Sequence, residues 1–411
     1  MDEKNPKADE RLTSIEPHGI LFGRQFNEYV MKPETMVGHV MIMGRPDSGK
    51  SSCVVIPTLR HWKGSIFAID IKGELYTETH AYRKNVKVLD IQDKTSHYCY
   101  DPYFFIKSSE DPVQEAYAIA EALIPMPPDA KEPFWIKSAQ TIMTGAILHY
   151  YSLGYSFIET LEKIQKQSPL TLVEIIAASS NKKASLLCRN FADIGFMPLT
   201  NIFAEISNRI APIVTDDNIV RVLTQNGKQS ISPEDLETGQ DIFIKIPEHL
   251  IRQCKDFFML IMNQFITFFE RHEEKDYDIP ILVMLDEFPR LGKIPRITDV
   301  LATLPKKITI CLCIQSLAQL DAIYNHSQRK VIMDLCAFKA VFNVTDTETQ
   351  EYLAKLVGTY EIKSRWFAPA FAHKIKPEEF SNLQDIILLH PFPPNFCRVK
   401  KQPYYLPVKD E

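Results

Sequence analysis

The run Gly44-Arg45-Pro46-Asp47-Ser48-Gly49-Lys50-Ser51, followed by Ser52, places two glycines, a lysine and a hydroxyl at the spacing GxxxxGK[ST]. Backbone N–H groups of such a loop can wrap phosphate oxygens, and a helix starting there adds a favourable field for anions. Lys50 would neutralise the β and γ phosphates, and the Ser51 hydroxyl would ligate Mg²⁺. A plain Gly-containing turn also fits these residues, but the apolar run before the loop and the helical sequence after it favour the cradle. A second group of residues closes the apolar run Ile281–Leu285, where Asp286 and Glu287 follow directly. Asp286 is suited to holding Mg²⁺ through water and Glu287 to polarising an attacking water as general base. Adjacent acids also end ordinary turns, and it is their pairing with the phosphate loop that makes the chemical reading the better one. Gln315, at the end of the apolar run 308–314, can reach the γ phosphate and the nucleophilic water if all these strand ends meet at one edge. ATP hydrolysis with Mg²⁺ is the chemistry these positions share.

Such positions need a parallel sheet to bring them together. VGHVMIM at 37–43, SIFAIDI at 65–71 and VKVLDI at 86–91 are short apolar runs separated by helical or loop sequence. That alternation is the mark of a sheet covered on both faces. From about 113 to 228 the character changes, with Ala139, Ile142, Met143, Ala146, Ile147 and Tyr150 recurring at helical spacing after a Pro-rich loop at 125–133. Segments 169–179, 183–192, 197–210 and 216–226 also read as helices, so an all-helical insertion is expected over 113–228. Strands return at 241–246, 280–285, 308–314 and 337–344. The domain reading is therefore a polar tail over 1–17, a nucleotide-binding α/β domain over 18–112 and 229–411, and an all-alpha domain over 113–228. Pro57, inside the helical sequence after the phosphate loop, removes a backbone donor and predicts a kink.

Composition excludes several classes. Of 411 residues 45% are hydrophobic and 24% charged, enough apolar material for a large core. A net charge of -5 provides no global positive field for nucleic acid or an anionic surface, so any such contact must be local. The most apolar window, Phe257–Phe269, is interrupted by Asn263 and Gln264 and falls short of the roughly 20 residues a bilayer span needs. The charged N-terminus lacks the apolar stretch of a signal peptide. Eight cysteines occur without a CxxC pair or a His at zinc spacing, which reads as reduced core thiols in the cytosol, with no metal beyond Mg²⁺.

The motifs resemble those of the type IV secretion coupling proteins, hexameric ATPases that feed DNA and protein substrates into conjugation machines. The resemblance rests on GRPDSGKSS, VVIPTL at 54–59, GSIFAIDIKGEL at 64–75, PFW at 133–135 with TGAILHY after it, LDEFPRLGKIP at 285–295 and IQSLAQLDAIY at 314–324. PEEFSNLQDIILL at 377–389 fits the same family, and the likeness runs from about residue 18 to 405. It implies a RecA-like domain interrupted by an all-alpha domain, with six subunits, ATP between subunits and a central channel. Single-stranded DNA with its relaxase, the secretion channel and a membrane-protein partner are the implied associates. The implied place is the cytoplasm at the inner face of the membrane, with a monomer expected at low concentration.

Two departures accompany the resemblance. Family members usually carry N-terminal membrane helices, and this sequence shows none, so a cut chain or a soluble member relying on a membrane partner is expected. Where many members place a trans-acting arginine finger before the glutamine strand, this chain has Lys306 and Lys307. Lysine lacks the planar fork of arginine, which leaves room for an ATP-binding adaptor with little turnover. A double-stranded DNA pump is the other alternative, and LDEFPRLG with QSLAQL argues against it. Lys163, Lys166, Lys182, Lys183, Arg189 and Arg209 can form a docking face or an ordinary solvated one, and the interspersed acids favour the latter. Phe134 and Trp135 are expected in the core rather than stacked on bases.

Overall fold

A computed structural model describes residues 5–127, 132–271, 279–294, 296–362 and 370–407. The chain divides into two compact units, one of Met1–Lys87, Glu234–Lys245 and Phe269–Glu411, the other of Val88–Pro233 and Ile246–Phe268.

The first unit is built on a large sheet in the order Phe396–Val399, Ile386–Leu389, Phe338–Val341, Val40–Met43, Ile308–Ile314, Ile281–Leu285, Ser65–Asp70, Asp241–Lys245, with Val86–Asp90 at the far edge. From Phe338–Val341 to Asp241–Lys245 neighbouring strands run parallel, and the first two strands pair antiparallel. The central strands are buried from end to end. This explains their nearly continuous apolar sequence, because a parallel sheet covered on both faces has no wet side to alternate with. Registers such as Leu285↔Leu312 and Leu285↔Ile69 align the strand ends. The residues that follow them therefore emerge at one edge.

The N-terminal region departs from the solvated tail expected over 1–17, of which residues 1–4 lie outside the described residues. Ala8 and Leu12 are buried, Ala8 N–H donates to Gln25 Oε1 at 2.7 Å, and Thr13–Ser14 pairs with Glu28–Lys32 in a small antiparallel sheet. Counting charge missed this, because the apolar residues that anchor the segment are few and spaced between exposed charges.

The second unit is mostly helical, led by Pro133–Ser152 and Phe196–Thr215. Helices Pro169–Ala177, Lys182–Cys188 and Asp217–Leu223 occupy three of the segments read from periodicity. Pro112–Leu123 and Phe157–Lys166 are helices that reading passed over. Of the Pro-rich loop, residues 128–131 lie outside the described residues. The compact unit is wider than 113–228 and not purely helical. It includes the parallel strand pair Tyr98–Tyr100 and Gln229–Ile231 and most of helix Lys255–Arg271. Gln264 on that helix accepts from Tyr100 Oη at 2.7 Å and donates to the Pro102 carbonyl at 2.7 Å, so this polar residue in the most apolar window serves buried partners. Among the described residues no helix is long and apolar enough to cross a membrane.

Phe134 is exposed, and Trp135 packs edge-on against it at 5.2 Å while donating to Glu132 at 2.6 Å. The core placement expected for this pair is thus corrected. It sits in the first turn of a helix whose buried face begins only at Ser138 and Ala139.

Candidate nucleotide site

The phosphate loop leaves the Val40–Met43 strand at Gly44, whose N–H donates to the Ile314 carbonyl at 3.2 Å, and Arg45 N–H donates to the Asn343 carbonyl at 2.7 Å. Neighbouring strand ends thus pin the loop on both sides. A Cβ at position 44 would lie 2.6 Å from Phe342 Cβ and 2.7 Å from Ser48 Oγ, so the close approach requires glycine. Gly49 adopts φ +97°, which also favours glycine. Arg45, Pro46 and Asp47 are exposed at the loop tip, and Ser48, Ser51 and Ser52 are half-buried.

Lys50 turns back into its own loop, donating to the Gly44 carbonyl at 2.7 Å and the Arg45 carbonyl at 3.1 Å. Burial holds its ammonium below the ordinary range, opposed by nearby anions that include Glu287 and Asp286. Ser48 Oγ is buried without a hydrogen-bond partner. A cradle closed to any Cβ, an orphaned hydroxyl and a buried ammonium satisfied only by carbonyls fit a phosphate group.

The Ile281–Leu285 strand delivers Asp286 and Glu287, which are only 7% and 8% exposed. Burial first, and the Glu287 carboxylate second, push the Asp286 carboxyl up to about 6. A hard divalent cation would relieve that repulsion, so the donor set of Asp286 and the Ser51 hydroxyl fits Mg²⁺. Glu287 takes a left-handed backbone, φ 51° and ψ 41°. Such a conformation is costly for a non-glycine residue and turns the chain sharply at the strand end. Gln315 Nε2 donates to Glu287 Oε2 at 3.0 Å. The structure therefore brings Lys50, Asp286, Glu287 and Gln315 to one edge of the sheet.

Lys306 and Lys307 are elsewhere. They precede Ile308–Ile314, about 25 Å of strand from Gln315 at the usual rise per residue, and neither can serve the site of its own chain.

Residues 3–384 match the family described as Type IV secretory system Conjugative DNA transfer. The chain belongs to that family. VirD4 of Agrobacterium fabrum strain C58 is 26% identical across 94% of this chain and 62% of its own length. Conjugal transfer protein TraG of Escherichia coli is 24% identical across 79% of this chain and 55% of its own length. The chain thus spans about three-fifths of the length of the VirD4 relative. Among solved structures, the bacterial conjugative coupling protein TrwBdeltaN70 matches with TM-score 0.74 at 14% identity, covering 95% of this chain and 89% of that one. Plasmid coupling protein TrwB in complex with ADP and Mg²⁺ matches with TM-score 0.73 at 15% identity, covering 95% and 90%. This likeness is one of fold, α/β and RecA-like.

Several residues of this family member's site escaped the sequence reading. Lys72, on the loop after Ser65–Asp70, has its ammonium 3.9 Å from Glu287 Oε1. Arg290, one helical turn beyond Glu287, has Nε 3.5 Å from Oε2. Asp70 anchors the Lys72 loop by accepting from Tyr76 N–H at 2.9 Å, and burial raises its carboxyl. An acid at an apolar strand end was the available signal for Asp70, as at Asp286. Lys72 lies within the motif GSIFAIDIKGEL, but its closeness to Glu287 comes from strand order.

The cations of the helical unit are largely engaged. Lys166 pairs with Glu162 at 2.9 Å, Lys183 with Asp111 at 3.9 Å and Arg209 with Asp256 at 3.6 Å. Lys163 lies 5.1 Å from the centre of the Tyr155 ring. Among the described residues one cluster has metal-like composition, Asp321, His326 and Glu348. The Arg329 guanidinium lies 3.0 Å from Asp321 and 3.2 Å from Glu348, supplying the positive charge there.

Proposed function

We propose that this chain is a type IV secretion coupling ATPase that recruits a relaxase–DNA substrate and spends ATP to deliver single-stranded DNA to the secretion channel. The observation carrying this reading is the meeting of Lys50, Asp286, Glu287 and Gln315 at one sheet edge. Family membership and the ADP and Mg²⁺ bound by TrwB support it.

In this reading Gly44 to Ser52 cradle the phosphates, and Lys50 exchanges its carbonyl partners for phosphate oxygens. Mg²⁺, held by Ser51 and through water by Asp286, supplies charge neutralisation of the β and γ oxygens. Glu287 orients and deprotonates the attacking water, and Gln315 senses the γ position while fixing the Glu287 carboxylate. Subunits assemble as a hexamer with ATP between them, and Lys306 or Lys307 reaches a neighbour's site. The helical unit selects substrate, and the assembly works at the cytoplasmic face of the membrane beside a membrane-protein partner.

The test is ATP turnover by the purified chain without DNA, with single-stranded DNA and with duplex DNA, using Lys50→Ala as control. Lys50-dependent turnover that rises with single-stranded DNA is expected. Tight ATP binding without turnover under all three conditions would replace the motor with an adaptor. Stimulation by duplex alone would favour a double-stranded DNA pump.

A further inference from the structure

The helix that carries the phosphate loop has a defect in its first turns, and a distant segment repairs it. Ser51–Val55 forms a π turn, with Ile56 N–H donating to the Ser51 carbonyl, and the α-helix Ile56–His61 follows. In that register the next carbonyl, Ser52, awaits the N–H of residue 57. Residue 57 is proline and has none. The Ser52 carbonyl instead accepts from Tyr404 N–H at 3.0 Å.

The segment supplying this donor is held at several other points. Lys400 exchanges backbone hydrogen bonds with Arg24 at 2.7 and 3.1 Å. Lys401 Nζ donates to Asn343 Oδ1 at 3.0 Å and to the Leu383 carbonyl at 3.1 Å. Asn343 is the residue whose carbonyl pins Arg45 N–H in the phosphate loop. The Arg60 guanidinium sits 4.3 Å from the centres of both the Tyr404 and Tyr82 rings, fastening the segment to the same helix. One stretch of chain therefore contacts both supports of the cradle, the first helical turns behind Lys50 and the strand end beside Gly44.

We infer that Lys401–Tyr404 is a positioning strap for the phosphate loop, with Tyr404 N–H standing in for the donor that Pro57 lacks and Lys401 bracing Asn343. The inference rests on the nucleotide-binding reading of the loop. The strap touches no phosphate. It acts by holding the loop in its binding shape before ligand arrives, lowering the ordering cost of binding.

Backbone chemistry provides the test. Tyr404 is the second residue of a turn closed by Leu406 N–H on the Pro403 carbonyl at 3.0 Å, a position where proline is favoured. Tyr404→Pro thus deletes the donor while keeping the turn, and Tyr404→Ala deletes the ring while keeping the donor. Binding is read with a fluorescent ATP analogue and Mg²⁺, and loop order by amide hydrogen exchange over 51–56 without nucleotide. Tyr404→Pro should bind about fivefold more weakly than Tyr404→Ala and exchange faster, the loss expected for one half-buried acceptor left unpaired. Pro57→Ala, which restores an internal donor to the Ser52 carbonyl, should return Tyr404→Pro to within about twofold of Tyr404→Ala. Lys401→Met should weaken binding about twofold to threefold by the same route, and decides the matter if Tyr404→Pro does not fold. Equal affinity and exchange for Tyr404→Pro and Tyr404→Ala, or a defect that Pro57→Ala does not relieve, would overturn the strap. Wild-type chain that fails to bind the analogue would instead overturn the nucleotide reading itself.

Discussion

At the edge where the central strands end, Lys50, Asp286 and Glu287 are buried, with Lys50 and Asp286 each shifted in part by the other and by the Glu287 charge, and the Ser48 hydroxyl has no partner. At the edge where those strands begin, Lys32 and His39 are buried as deeply but are paired with neutral groups. Lys32 Nζ donates to Thr309 Oγ1 at 3.0 Å, His39 Nε2–H donates to the Leu301 carbonyl at 2.9 Å and Ile310 N–H donates to His39 Nδ1 at 3.1 Å. Both imidazole nitrogens are used, so the neutral ring is locked in place, and burial holds it down to about 4. The comparison teaches that burial of charge does not by itself mark a site. The edge with unspent valence can take a ligand, whereas the saturated edge ties strands together.

The largest expected effect breaks the first edge outright. Lys50→Ala should abolish hydrolysis and weaken nucleotide binding, measured by turnover and equilibrium titration. Glu287→Gln should still bind ATP and lose about 10²- to 10⁴-fold in turnover. Wild-type turnover in Glu287→Gln would remove the base from the mechanism.

Lys306 and Lys307 provide the next comparison, because they stand at the strand-starting edge, away from the site of their own chain. Turnover per subunit should rise about tenfold with protein concentration, and the Lys306→Ala/Lys307→Ala variant should lose that rise. Constant turnover over a hundredfold dilution, with a monomeric mass throughout, would exclude catalysis between subunits.

His39 sharpens the comparison through pH. With its folded value near 4 and its ordinary value 6.5, the unfolded chain takes up a proton that the native ring refuses as pH falls from 6.5 toward 4. Stability is therefore full above 6.5 and declines through that window by about 3 kcal/mol at most. His39→Gln should flatten this decline in denaturant titrations run at several pH values. An unchanged slope would show that other groups carry the acid sensitivity.

The smallest effect concerns Lys32, which burial brings down to about 8. Below that pH the native state holds a desolvated charge that the unfolded chain hydrates freely, and the penalty disappears as pH rises from 8 toward 10.5. Lys32→Met should accordingly stabilise the protein at pH 7 by about 1 kcal/mol, with a smaller gain near pH 10. A lower Tm at pH 7 would mean that the Thr309 bond and nearby Glu34 outweigh desolvation.

Sequence alone determined the chemistry-bearing positions whose constraint is local. Gly44, Gly49 and Lys50 are legible because a phosphate loop needs small residues and one cation at fixed spacing, and Asp286 and Glu287 because two acids at the end of an apolar strand pair with that loop, whereas alone they would fit an ordinary turn. The parallel sheet was equally legible, since strands buried on both faces must be apolar throughout. Tertiary structure alone decided whatever depends on which strands are neighbours. Lys72 faces Glu287 because Ser65–Asp70 lies beside Ile281–Leu285, and no spacing in the sequence encodes that adjacency. The anchoring of the N-terminal segment, the strand pair in the helical unit and the donor Tyr404 lends to Ser52 were hidden for the same reason. Backbone hydrogen bonds between remote residues are nearly independent of side-chain type, so they leave little trace in the order of amino acids.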